Sequence, residues 1–203
     1  IARRRYDSYD AYLEHQAAKL DEISDRLDET RAEDLAEFER RFRLCQSLLG
    51  CRNVLCLGAR LGTEVEALIR LGHFALGVDL NPGEHNRLVV TGDFHDLVFA
   101  TGSVDAVYTN TLDHVFDLDR LMGEITRILR PGGLFIADTL QGFSEGFTPG
   151  RYESMHWRSR DELVAAITAA SGMVVVEEHD LGHHRRDHWQ QITFAKPAAG
   201  PAG

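Results

Sequence analysis

The stretch NVLCLGARLGTEVEALIRLGHFALGVD, Asn53 to Asp79, decides the fold. An apolar run from Val54 to Leu57 ends at Gly58, and a helical pattern follows in which Val65, Leu68, Ile69 and Leu71 share one face. Gly58 and Gly62 flank Ala59, Arg60 and Leu61, so backbone can come close to a ligand where a new helix offers unpaired N–H groups. Phe74 to Val78 form a second strand and Asp79 closes it. An acid about 20 residues after the first glycine is placed to accept hydrogen bonds from ribose hydroxyls. Strand, glycine turn, helix, strand and acid together frame a nucleotide-like cofactor, although two glycines also serve a purely structural turn.

Further segments follow in a fixed order: TGDFHDL (Thr91 to Leu97), SVDAVYTNTLDHVFD (Ser103 to Asp117), a helical stretch to Arg130, and RPGGLFIAD (Arg130 to Asp138). In this order and spacing the chain resembles the class I S-adenosylmethionine-dependent methyltransferases, in particular small enzymes with a helix ending in LRPGG. The resemblance covers roughly Asn53 to Pro197. It implies a doubly wound α/β fold with a mostly parallel seven-stranded sheet whose last strand is antiparallel. It also implies S-adenosylmethionine as cofactor. Carried over residue by residue, Gly58, Ala59 and Gly62 match the loop beside the methionine part, and Asp79 matches the acid on the ribose. Leu80 falls against adenine, Asp93 and Phe94 match the pair that meets the adenine amino group and ring, and Asn110 lies where the chain passes the methionine end. Leu112 and His114 come near the methyl group. The family loop is an acid followed by Gly-x-Gly-x-Gly, whereas here Cys56 replaces the acid and Arg60 the central glycine. Arg60 either points to solvent or meets the cofactor carboxylate.

The chain has 203 residues, 43% hydrophobic, enough for one sizeable core. Its domain plan is a helical arm over 1–50, a cofactor-binding domain over 51–197 and a flexible tail over 198–203. A formal net charge of −10 opposes nucleic-acid binding, and the short basic runs Arg3-Arg4-Arg5 and Arg185-Arg186 do not reverse it. No apolar run approaches the roughly 20 residues of a membrane span, so no membrane partner and a cytoplasmic location are expected. Cys45, Cys51 and Cys56 read as small buried residues. The partner expected is a small-molecule acceptor, sugar-containing molecules included; a homodimer is compatible with the sequence.

Between Tyr6 and Leu49 there is neither proline nor glycine, and Leu13, Leu20, Ile23 and Leu27, then Leu35, Phe38, Phe42 and Leu49, suggest two amphipathic helices. Glu33, Glu37, Glu39, Arg40, Arg41 and Arg43 read as a solvated face. Tyr6, Tyr9 and Tyr12 either line the substrate mouth or pack the arm on the sheet. Gln141 to Arg151 is loop-like. A helix over about Asp161 to Ala170 and strands over Met173 to Glu178 and Trp189 to Ala195 follow.

Methyl transfer needs alignment and, for a hydroxyl acceptor, removal of a proton. His114 is the candidate base, with Asp113 orienting it; alternatively His114 is a turn residue bonded to backbone. Asp113 and Asp138 fall at the carboxyl ends of two strands, resembling acids that hold a magnesium ion in metal-dependent O-methyltransferases, but Thr139 stands where a third ligand belongs. The segment EHDLGHHRRDH, Glu178 to His188, reads as a hairpin loop whose His183, His184, Arg185 and Arg186 are either plainly solvated, in contact with substrate, or metal ligands. The leading function is O-methylation of a sugar or natural-product hydroxyl. A non-catalytic, methyltransferase-like binding protein and a nucleotide-dependent oxidoreductase are the alternatives, the latter opposed by the missing G-x-G-x-x-G pattern.

Overall fold

The computed structural model describes residues 1–185 and 187–198, and within them the side chains of 21 and 23–28 are left aside. Ile23, Leu27, Arg186 and, of the tail expected over 198–203, residues 199–203 therefore lie outside what is described. Seven strands form one sheet: β1 Asn53–Leu57, β2 Phe74–Asp79, β3 Val89–Thr91, β4 Val104–Thr109, β5 Leu129–Leu140, β6 Val174–His184 and β7 Asp187–Ala195. Their order is 3-2-1-4-5-7-6, with β7 antiparallel to both neighbours and the other adjacent pairs parallel. The expected doubly wound sheet is present. Chain order reverses between β1 and β4, where open α/β sheets hold ligands at the carboxyl ends of their strands.

β1 is central because Val54, Leu55, Cys56 and Leu57 are buried on both faces, as a strand sandwiched between helices requires. On one face α4 (Leu118–Ile128) and α5 (Arg160–Ser171) cover Leu57, Val107, Phe135 and Phe194. α4 does so with Leu118, Leu121, Met122, Ile125 and Ile128, one stripe at helical spacing, and its first turn is capped by Asp117. On the other face α2 (Lys19–Leu44) and α3 (Thr63–Arg70) pack Leu35, Phe42, Val65 and Leu68 over Val54, Ala106 and Ile136. Ile69, expected on the buried stripe of α3, is 43% exposed, and Ala67 is buried instead. Cys45, Cys51 and Cys56 are free and buried, as expected.

Two expectations require correction. The arm does not split between Leu27 and Leu35: α1 (Tyr9–Ala17) ends at Ala18 and a single 26-residue helix then runs to Leu44, leaving Leu49 exposed on a five-residue 3-10 helix. The segment from Glu178 to His188 is not a loop. β6 and β7 pair through it as far as His184 and Asp187, and Arg185 follows β6 at φ +58°. Along β6 exposure alternates residue by residue, a polar edge ribbon that hydrophobic patterning does not mark as strand. Among the described residues no helix is long and apolar enough to cross a membrane.

Candidate active site

Where β1 meets α3 the chain turns with three residues in the left-handed region, Gly58 at φ +71°, Arg60 at +44° and Gly62 at +81°. The turn is pinned by the N–H groups of Gly58 and Ala59, which donate to the Val78 carbonyl at 2.8 and 3.2 Å. A Cβ at Gly58 would lie 2.3 Å from Thr111 Oγ1, so the loop sits against the start of the segment after β4 with no room for a side chain. Gly58→Ala is therefore expected to destabilise the protein and to abolish measurable cofactor binding; Thr111→Ala in that background removes the nearest atom and should return part of the stability, measured by thermal melting. Arg60 keeps the backbone conformation of the glycine it replaces, at a cost of roughly 1–2 kcal/mol for a residue with a Cβ. Its N–H donates to Asp79 Oδ2 at 2.8 Å.

Asp79 ends β2 and also accepts from the Asn81 N–H, through Oδ1 at 2.9 Å. Both oxygens retain lone pairs, and burial pushes the carboxyl above its ordinary range against the opposing pull of these N–H donors and of Arg60. Asp79, Leu80, Gly58, Arg60 and Phe94 line one cleft. Tyr12, one of the tyrosines offered for the mouth, also lines it, together with residues not foreseen from the sequence: Gln16, Ala17, Lys19 and Leu20 from the arm, Asn81, and Thr111. Arg60 thus faces the cleft. Ala59 and Gly62 support it from behind: Ala59 is buried against Gly77, and a Cβ at Gly62 would meet Val89.

Three positions carried over by resemblance stand elsewhere. Leu112 is in the apolar core on the α4 face, and Thr111, not Asn110, lines the cleft. Asp93 is not on the cleft wall: Tyr9 donates to its Oδ2 at 2.5 Å and the His95 N–H to its Oδ1 at 2.8 Å. Burial disfavours its charge, but the hydrogen bonds from His95 and Tyr9 outweigh that and hold it at about 2. Asp93 therefore fastens the arm, while Phe94, next in sequence, reaches the cleft. The three tyrosines divide the roles offered for them. Tyr12 lines the cleft and donates to the His114 carbonyl, Tyr9 binds Asp93, and Tyr6 hydrogen-bonds His15 and Ser154.

His114 also faces the cleft. Its Nδ1 lies 2.9 Å from the Tyr152 carbonyl, so it donates there, and its Nε2 lone pair accepts from the Lys19 ammonium at 2.7 Å. Asp113 Oδ2 is 3.5 Å from the same Nε2. Burial, then Lys19 and Arg60, drive the imidazole down to about 3, so it is neutral at physiological pH. A neutral imidazole suits a base, yet its lone pair is occupied. His114, expected either as a base or as a turn residue bonded to backbone, is thus bonded to backbone through Nδ1, while its Nε2 is held by Lys19.

The Asp113 and Asp138 pair does not offer a metal site. Asp138 is 1% exposed and fully engaged: Tyr108 and Arg41 donate to Oδ2 at 2.7 and 3.2 Å, and Gln191 to Oδ1 at 2.9 Å. Among the described residues no three His, Cys, Asp or Glu side chains are grouped to hold an ion. Arg41 is 2% exposed, not on the solvated face assigned to it, and its guanidinium lies over Trp189. The imidazoles of the hairpin are engaged too, His184 with Asp34 at 3.1 Å and His188 with Asp180 at 2.6 Å. His183 lines a second, polar cleft beside Leu140 and Phe147.

Residues 55–137 match a family described as "Methyltransferase domain". A methyltransferase of Mycobacterium sp. (strain JLS), itself uncharacterized, is 35% identical over 96 residues, 43% of this chain and 38% of that protein. 24-Methylenesterol C-methyltransferase 2 of Oryza sativa subsp. japonica is 27% identical over 171 residues, 70% of this chain and 47% of that protein. The chain spans less than half the length of the curated relatives it matches. Among solved structures, Burkholderia thailandensis 1,6-didemethyltoxoflavin-N1-methyltransferase, with 1,6-didemethyltoxoflavin and S-adenosylhomocysteine bound, superposes with a TM-score of 0.74 at 18% identity, covering 97% of this chain and 93% of that one. Sheet order and glycine turn agree with these likenesses: residues 55–137 match the methyltransferase-domain family, and the chain has the fold of the methyltransferase structure on which it superposes.

Proposed function

We propose that the protein is an S-adenosylmethionine-dependent methyltransferase acting on a small molecule, by O-methylation of a sugar or natural-product hydroxyl. The observation that carries this is the meeting of the Gly58–Gly62 turn and Asp79 in one cleft roofed by the arm. A side chain at Gly58 would collide with Thr111, which lines the same cleft. Asp79 would hold the ribose diol, Leu80 and Phe94 the adenine, and the turn after Gly58 the aminoacyl end. The cofactor supplies a methyl group already activated on a sulfonium. The protein's work is to exclude water and to align the acceptor, which favours proximity as the main source of rate. The rice and Burkholderia relatives act, by their names, on a sterol and on a toxoflavin precursor, which supports a small acceptor. The family match favours methyl transfer over the hydride transfer of an oxidoreductase.

Lys19 and His114 line the cleft as a bonded donor–acceptor pair, which would take a hydroxyl proton once Lys19 turned toward an acceptor oxygen bound beside them. Incubation with S-adenosylmethionine and a library of hydroxylated small molecules, read by mass spectrometry, is expected to show gain of one methyl group. No methylated product across sugars, phenols and polyketide alcohols would favour the binding-protein reading.

The pH dependence follows from His114. Its folded value lies below the unfolded one, so the unfolded chain binds the extra proton first and the imidazole's contribution to stability is lost as pH falls from about 6.5 toward 3. Turnover governed by this imidazole should show no inflection near 6.5. Lys19→Met removes the larger of the two cationic causes, so NMR titration should find the imidazole shifted upward; an unchanged midpoint in Lys19→Met contradicts the pairing.

A further inference from the structure

A second cleft opens at the carboxyl end of β5, between the loop that follows this strand and the β6–β7 hairpin. Leu140, Gln141 and Phe147 line it from the loop side, and His183, Asp187 and His188 from the hairpin. Sheet pairing brings the two sides together: antiparallel β7 begins where β5 ends, with Leu140 opposite Trp189 and His183 opposite His188. The loop folds back through the Phe147 N–H, which donates to the Gly142 carbonyl at 3.2 Å, with Gly146 at φ +114° making the bend. On the hairpin the His183 and His188 rings lie 4.7 Å apart. His188 Nε2 is 2.6 Å from Asp180 Oδ1, which fixes that ring and leaves its Nδ1 for another partner. Among the described residues the side chains of Gln141, His183 and Asp187 make no hydrogen bond within the protein. Polar groups that converge on a concave surface in this way set the orientation of a ligand.

The lining decides the class of that ligand. Among the described residues it holds no lysine or arginine, and Asp187, with Asp180 on His188, repels a phosphate or a carboxylate. Arg185, beside the hairpin, is given to Asp34 at 2.6 Å. No three metal-binding side chains are grouped among the described residues, and only Leu140 and Phe147 would receive an apolar molecule. A neutral ligand rich in hydroxyl groups fits: a carboxylate accepts from hydroxyls, an amide and an imidazole both donate and accept, and Phe147 offers an apolar face. We propose that this cleft binds a saccharide, as a second site on the same edge of the sheet as the cofactor cleft. The two clefts share no residue, so saccharide binding here goes beyond the cofactor reading and does not depend on it.

The test is NMR titration of the histidine ring resonances with D-glucose, D-galactose, D-mannose and their methyl glycosides, and separately with inorganic phosphate. At least one sugar is expected to shift His183 and His188 saturably, with a Kd of about 10 mM or tighter. Gln141→Ala and Asp187→Asn should each weaken that sugar roughly threefold or more, while the rest of the spectrum stays that of the parent and shows the fold intact. A tighter fit of the methyl glycoside identifies the glycosyl group of a larger molecule, and the reverse a free monosaccharide; either supports the site. No saturable shift with any sugar, tighter binding of phosphate than of every sugar, or parent-like sugar affinity in both variants overturns the proposal. Titration with S-adenosylhomocysteine reads the other cleft, so failure of the cofactor reading is seen separately.

Discussion

Replacing Asp79 by alanine is expected to weaken S-adenosylmethionine binding at least tenfold. A ribose diol loses charge-assisted acceptors contributing roughly 1.5–3 kcal/mol. A second loss adds to the first, because the same carboxylate holds the N–H groups of Arg60 and Asn81. Without it the turn that Arg60 holds at positive φ has one anchor fewer, so both the ligand contact and the shape of the site suffer. Asp79→Asn separates the two: its carbonyl oxygen can keep one N–H, and its affinity should fall between parent and alanine. Calorimetry on the three proteins checks this, and equal affinity in Asp79→Ala and parent contradicts the placement.

The largest expected loss of stability is at Arg41, although it lies apart from the cofactor. Its guanidinium binds Glu37 at 2.8 Å and Asp138 at 3.2 Å, and Asp138 is the deepest charge at the carboxyl end of β5. Removing one partner of a buried pair leaves the other charge uncompensated, at about 3–5 kcal/mol. For a chain of this size Arg41→Ala should melt roughly 6–20 °C below the parent. Asp138→Asn in an Arg41→Met background leaves no charge buried there and should recover much of the loss. The same variants bear on the metal reading: a carboxylate given over to Tyr108, Gln191 and Arg41 is structural, so activity should be indifferent to chelator. Melting of Arg41→Ala within about 2 °C of the parent contradicts this account of Asp138.

The part of the fold legible in the sequence is the part written locally. From Asn53 to Asp79 the apolar periods, the glycines and the acid lie within one strand-turn-helix-strand unit, and the structure reproduces it with ends shifted by a residue or so. Gly58, Arg60, Asp79, Leu80, Phe94 and His114 meet in one cleft for the same reason: each sits at or just beyond the carboxyl end of a strand. The rest depends on contacts distant in sequence. Asp93 reads as a ligand group until Tyr9, 84 positions away, is seen to occupy it. Lys19 is an ordinary charge in a charged helix until the fold sets it against His114. Arg41 differs in no local feature from its neighbours Arg40 and Arg43, and only the end of β5 distinguishes it. Asn110 and Leu112 were misplaced because a one-residue difference in a tight segment exchanges cleft and core, and Thr111 took the cleft position. Of the β6–β7 ribbon, the strands to Glu178 and from Trp189 were legible, but their extension was not, because His179, Asp180, His183, His184, Asp187 and His188 are polar.

Titration of the parent protein with S-adenosylmethionine, S-adenosylhomocysteine and NAD in a calorimeter bears most directly on the cleft. Saturable binding of the first two at one site per chain, with no heat from NAD, is the expected result. Binding of NAD alone, or of none of the three, would contradict the assignment of the Gly58–Gly62 turn and Asp79 to S-adenosylmethionine.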